Sequence, residues 1–201
     1  MAGQQSSGDD AGIGRRPFAD GDFDAVLAAA RANDPVAFQR LHAAFAPNVA
    51  GYLRLQGAVE ADDLTSEVFL AVFTRLDSFA GDEAAFRSWM FTIAHRRLID
   101  EHRRRGRRPV TYEADTTAVE LPTAEDAGDV VDRRLADARV MALCDQLLPD
   151  QRSVILLRIV ADLTVEQTAT ALGKSTGAVK QLQRRGLLNL QKIVRHEGVT
   201  L

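Results

Sequence analysis

The residues best suited to chemistry are basic and amide side chains near the end of the chain. Thr176, Lys180, Gln181 and Arg184 recur at helical spacing on one outward face. Lys and Arg match the acceptors on a guanine edge, and Gln matches adenine bidentately. Lys174, Arg185 and Lys192 are better placed for phosphate oxygens, which fix register without reading sequence. A second concentration lies at mid-chain, where Arg96, Arg97, Arg103, Arg104, Arg105, Arg107 and Arg108 suit a nucleic-acid backbone. Phe86 and Trp89 could stack on bases, but their spacing with Ile93 places them in a core.

Catalytic chemistry finds little support. His42, His95, His102 and His196 are scattered, without metal-ligand spacing to Cys144, the one cysteine. No Gly-rich phosphate loop and no serine elbow occurs. The expectation is therefore no catalytic residue, no metal and no cofactor. A single cysteine forms no internal disulfide and suits a reducing compartment. No apolar run approaches the ~20 residues that span a bilayer, and residues 1–22 lack a signal-peptide core. The expected location is the cytoplasm, without membrane insertion.

The helix that carries the first set has a specific frame. Thr164 with Gln167 three residues later forms a capping box. Ala169, Ala171 and Leu172 give a short helix its buried side, and Gly173 suits a left-handed stop. Ser175 caps a longer helix with Val179, Leu182, Gly186 and Leu190 inside. Short helix, glycine turn and long basic helix make a helix-turn-helix, whose second helix can enter the major groove.

Upstream, helical periodicity starts near Phe23, with Val26, Leu27 and Ala30, then Phe38, Leu41 and Phe45 after a restart at Pro35. Asp62 or Asp63 can cap a helix with the stripe Leu64, Val68, Phe69, Val72, Phe73 and Leu76. The run Ser78-Phe79-Ala80-Gly81-Asp82 breaks it. Another helix, with Phe86, Trp89, Met90, Ile93, Ala94 and Leu98 inside, leads into the arginines.

The net charge of −3 argues against nucleic acid only as a sum. Seven arginines against two acids leave +5 over Arg96–Arg108. Seven acids with no Lys or Arg give −7 over Glu113–Asp132. Six basic residues and no acid lie over Lys174–Arg195. A polyanion feels the local sign within a Debye length of ~8–10 Å. Few aromatics, no alternating β pattern and an excess of good helix formers predict an all-α chain. The expected layout is a disordered tail over 1–22, a helical domain over 23–109, an extended acidic linker over 110–132, and a helix-turn-helix domain over 133–201.

Together these motifs resemble the sigma-70 family of transcription initiation factors, specifically its extracytoplasmic-function (ECF) group. Asp62-Asp63-Leu64-Thr65-Ser66-Glu67-Val68-Phe69-Leu70 is similar to the polymerase-binding helix. Phe86-Arg87-Ser88-Trp89-Met90-Phe91-Thr92-Ile93-Ala94, followed by Leu98-Ile99-Asp100 and the arginines, resembles the helix that melts and reads the −10 element. Leu148-Pro149, the Arg158–Leu163 stretch and the helix-turn-helix resemble the −35-reading domain.

The resemblance implies a protein that recruits core RNA polymerase to promoter DNA. Asp62, Asp63, Ser66 and Glu67 would meet the clamp helices of the β′ subunit, and the β flap would be a second contact. Ser78, Phe79, Ala80, Gly81 and Asp82 would receive a flipped −10 base, and Arg96, Arg97, Arg103 and Arg104 would hold the strands. Lys174, Thr176, Lys180, Gln181, Arg184 and Arg185 would meet the −35 element. The linker would thread the RNA exit path, and an anti-sigma factor would hold the chain silent. Two positions depart from the family: Arg96 stands where Asn is frequent, and Gly186 where Ala is common. A stand-alone helix-turn-helix regulator shares the last motif and leaves the acidic helix unexplained.

Overall fold

The computed structural model describes residues 18–19, 22–106 and 138–196. The linker expected over 110–132 and nearly all of the expected tail lie outside them. Among the described residues the chain is helical, without strands. The helices are α1 (Asp22–Arg31), α2 (Pro35–Leu55), α3 (Ala61–Thr74), α4 (Glu83–Gly106), α5 (138–145), α6 (Pro149–Ile159), α7 (Val165–Leu172) and α8 (Thr176–His196). A 3₁₀ turn, Leu76–Ser78, joins α3 to the loop before α4.

Local chemistry accounts for most boundaries. Asn33 takes φ 62°, a left-handed position that asparagine tolerates, and ends the α1 turn. Asp34 caps α2 by accepting from the Val36 amide at 2.8 Å, and Pro35 occupies the first turn, where its missing N–H is harmless. Pro47 lies inside α2, yet the helix runs on, held by Leu41, Phe45, Val49, Tyr52 and Leu53 buried on either side of it. The expectation of an aspartate cap on α3 does not hold. Glu60 is the N-cap residue, with no side-chain cap bond, and Asp62 and Asp63 sit within the first turn. There they still complement the positive end of the helix dipole.

α1 to α4 surround one core. Phe23, Phe45, Phe79, Phe86 and Trp89 form a chain of ring contacts with centroids 5.2–5.8 Å apart. Phe18, within the stretch read as a tail, is buried against Phe23 and Phe45. The expectation that Phe86 and Trp89 serve the core is met: Phe86 is fully buried and Trp89 packs on it.

The same core continues into the C-terminal unit. Cys144, Leu156, Leu157, Ala161, Leu163 and Ala171 join it, with α4 against α7 and α2 against α6. Polar contacts between described residues cross this interface. Arg87 pairs with Glu83 on its own helix and with Asp162 of the other unit at 3.3 Å. Gln56 donates to the Ser153 hydroxyl at 3.1 Å, both residues being buried. Gln167 donates to the Ala84 carbonyl at 3.3 Å.

Candidate nucleic-acid interface

The helix-turn-helix forms as its residues dictate. The Thr164 amide donates to Gln167 Oε1 at 2.8 Å, and the Gln167 amide returns to Thr164 Oγ1 at 3.2 Å. Gly173 ends α7 at φ 62°, and the Lys174 amide closes the turn on the Ala169 carbonyl at 2.9 Å. Ser175 Oγ then accepts from the Ala178 amide at 3.2 Å and starts α8. Arg158 donates to the Leu163 carbonyl and holds the turn ahead of α7.

α8 packs on α6 through Gly186. A Cβ there would stand 3.0 Å from Ile155 Cγ1 and 3.4 Å from Gln151 Cβ. The departure from the common alanine thus marks a close helix–helix approach. Asn189 adds a bond to Gln151 Oε1 at 2.9 Å. With that side fixed, Thr176, Lys180, Gln181, Arg184 and Arg185 are exposed together. Lys174 stands apart, its ammonium 2.8 Å from Asp150 of α6.

The loop at 78–82 is more built than its composition suggested. Ser78 Oγ donates to the Arg75 carbonyl at 2.8 Å. The Phe79 ring is buried rather than presented; it stacks on Trp89 at 5.2 Å and meets Phe86 edge-on. Gly81 has φ 144°, and a Cβ there would come within 2.7 Å of Ala85 Cβ, so only glycine fits. Asp82 caps α4, accepting from the Ala85 amide at 2.8 Å. Ala80 and the backbone around it remain as the exposed rim. From α1, Arg31 donates to the carbonyls of Leu76 and Phe79. Sequence reading missed this contact, because nothing local links residues 45 and 48 positions apart.

The α4 arginines separate into two stripes, each pair seven residues apart. Arg96 and Arg103 line a hollow with His95, Ile99, Asp100 and the α7 segment Thr170–Gly173. Arg97 faces Glu67 of α3 at 3.8 Å. Arg104 lines a groove of about 580 Å³ with Glu60, Asp63, Leu64, Glu67, Glu101 and Arg105. Arg97 and Arg104 therefore adjoin the acidic helix in this structure, away from the 96/103 stripe.

The acidic face of α3 borders two grooves. Asp63 and Glu67 belong to the one just described. Asp62 and Ser66 border the other, about 400 Å³, whose wall includes His42, Ala46, Pro47 and Ala50 of α2. Asp62 is 88% exposed and pairs with the half-exposed Arg54 at 3.5 Å, a contact that solvent screens. Leu70, 70% exposed, continues the face one turn on.

Of the histidines, His42 lies against Phe69, and His95 Nδ1 lies 2.9 Å from the hydroxyl of buried Tyr52. Burial pushes the His95 pKa below the ordinary imidazole range; Asp150 opposes the shift, and Lys174 and His102 add to it. Burial likewise raises the Tyr52 phenol and the Cys144 thiol. Among the described residues no three His, Cys, Asp or Glu side chains gather as a metal site.

Known proteins share this arrangement. Residues 40–108 match the family model for sigma-70 region 2, and residues 144–192 match that for sigma-70 region 4. The chain is 32% identical over 189 residues to the ECF RNA polymerase sigma factor BldN of Streptomyces coelicolor, covering 90% of this chain and 70% of that one. It is 36% identical over 179 residues to the ECF RNA polymerase sigma factor SigD of Mycobacterium tuberculosis, covering 84% and 82%. The solved structure of CnrH in complex with the cytosolic domain of CnrY has the same fold, with a TM-score of 0.63 at 24% identity over 87% of this chain and 97% of that one. With both regions matched in order and relatives aligned along most of its length, the chain belongs to the ECF sigma factors of the sigma-70 family.

Proposed function

We propose that this sigma factor divides its work among three surfaces. Asp62, Asp63, Ser66 and Glu67 on α3 dock on the β′ clamp helices of core RNA polymerase, while the C-terminal unit meets the β flap. The loop 78–82 receives the flipped −10 base, and Arg96 with Arg103 holds the strands beside it. Arg97 and Arg104 join them once polymerase has taken the acids they now face. Thr176, Lys180, Gln181 and Arg184 read the −35 element; Arg185 and Lys174 hold phosphates, Lys174 after leaving Asp150. The domain division at 109 and 133, with the acidic linker between, belongs to the same reading. So do a cytoplasmic location, the lack of any catalytic step of its own, and silencing by an anti-sigma factor, as the family implies.

The observation that carries this reading is the coexistence of two exposed, differently built surfaces with an acid-lined helix face on one chain. A stand-alone regulator needs only α8. Run-off transcription from genomic DNA with purified core should start at new, discrete promoters when the protein is added, and the Ser66→Arg, Glu67→Arg double variant should abolish this at unchanged helix content. Tight duplex binding by the protein alone, with no effect on transcription by core, would favour the regulator.

A further inference from the structure

Several constraints on the loop 78–82 come from its own neighbourhood. The Phe79 ring is anchored on Phe86 and Trp89, Gly81 lies too close to Ala85 for any side chain, and Asp82 caps α4. These fix the floor and the exit of the loop. On the carbonyl side of Leu76–Phe79, where the chain leaves the 3₁₀ turn, the Phe79 amide donates back to the Leu76 carbonyl at 3.2 Å, and a further partner comes from outside the loop. That partner comes from Arg31, the last residue of α1. Its Nε donates to the Leu76 carbonyl at 3.4 Å and its Nη2 to the Phe79 carbonyl, so one planar guanidinium spans both ends of the turn. A guanidinium presents its donors in a rigid fork, so two carbonyls held by one fork are fixed relative to each other.

We infer that Arg31 is a positioning residue for −10 recognition: it clamps the loop whose exposed rim, at Ala80, meets the unpaired base. The inference rests on the reading of 78–82 as the −10 loop. Arg31 precedes the span matched by sigma-70 region 2, residues 40–108, so the match to that region does not assign it. The Arg31 side chain itself touches no DNA in this scheme. It acts through the backbone, by holding the receiving surface in one shape before the base arrives. A preorganised rim favours one base over the others, whereas a loose rim accommodates several.

The test uses holoenzyme reconstituted from core polymerase and full-length variants, transcribing a promoter library randomised at both elements. Arg31→Met keeps the length of the side chain and removes its donors. It should reduce discrimination at the loop-read −10 position by roughly fivefold or more, the scale of a single base contact. Preference at −35 and affinity for core should stay at wild-type values. Arg31→Lys, which keeps the charge and can reach one carbonyl, should recover part of the discrimination and serves as the folded control. Ala80→Arg tests the underlying reading separately, because it alters the rim without touching the clamp. If Ala80→Arg leaves −10 preference unchanged, the assignment of the loop fails, and this inference with it. If Ala80→Arg shifts the preference while Arg31→Met matches wild type, the clamp alone is refuted. Equal losses at −10, at −35 and in core affinity would also refute it, since they mark a general folding defect.

Discussion

Gln181 and Arg184 stand three positions apart on α8, exposed on one face. Arg185 is exposed too, but points about 100° away around the helix. A lost base contact costs ~1–3 kcal/mol at one position, whereas a lost phosphate contact weakens all sequences alike and lowers the salt slope by about one. Arg184→Ala should therefore change which −35 sequences support transcription, and Arg185→Ala should weaken all promoters evenly. Library transcription with each holoenzyme separates the two, and a −10 shift from Arg184→Ala would refute the division of labour. The residue types and their spacing were legible without a structure. The pairing of Lys174 with Asp150, and of Arg97 with Glu67, was not, because both partners lie on other helices.

At the scale of elements, the meeting of α6 and α8 gives a measurable contest. Glycine inside a helix costs up to ~1 kcal/mol relative to alanine. Here the added methyl would meet Ile155 Cγ1 at 3.0 Å, so the neighbour must yield by a few tenths of an ångström. The two effects oppose each other and are similar in size. Gly186→Ala should change unfolding free energy by less than about 1 kcal/mol, while Gly186→Val, branched and larger, should destabilise by about 2 kcal/mol or more. Denaturant titration of both variants decides this; a large loss from alanine would mean that the α6–α8 contact is rigid. The capping box, the glycine stop and the Ser175 cap were all legible in the sequence because each is closed within four residues. The start of α3 was misread because an aspartate suits the first turn as well as the cap.

At the scale of the whole molecule, the buried contact between the two units holds ionisable groups that ought to answer to pH and to mutation. His95 is flanked by Tyr52 of α2, by Arg96, Asp100, His102 and Arg103 of α4, by Asp150 of α6 and by Lys174. Its folded-state pKa is lowered, chiefly by burial. The unfolded chain therefore binds the proton first. Stability is undiminished above the ordinary imidazole pKa of about 6.5 and falls as pH drops below it, until the folded-state imidazole is itself protonated. His95→Gln should flatten that limb of a melting-temperature profile, and an unchanged profile would refute the assignment. Arg87 provides the electrostatic counterpart. It is 8% exposed and holds Glu83, which is largely buried, and Asp162, which is not. Arg87→Met strands a shielded carboxylate and should cost about 3 kcal/mol. Asp162→Asn should cost well under 1 kcal/mol, because the side chain is 55% exposed and asparagine accepts its left-handed backbone, φ 50°.

The sequence by itself determined what depends on periodicity and on short-range bonding. The all-helical class, the helix-turn-helix, the acidic face at Asp62–Glu67 and the core role of Phe86 could be read because helical spacing and cap chemistry act within a few residues. Only the tertiary structure decided which groups meet across long separations. It turned Phe79 inward onto Trp89 and set Arg31 against the loop. It also split the α4 arginines into one stripe beside α7 and another beside α3, and joined Arg87 to Asp162 across two helical units. Each of these depends on where packed helices cross, and burial of the apolar stripes sets those crossings only when the whole chain has folded.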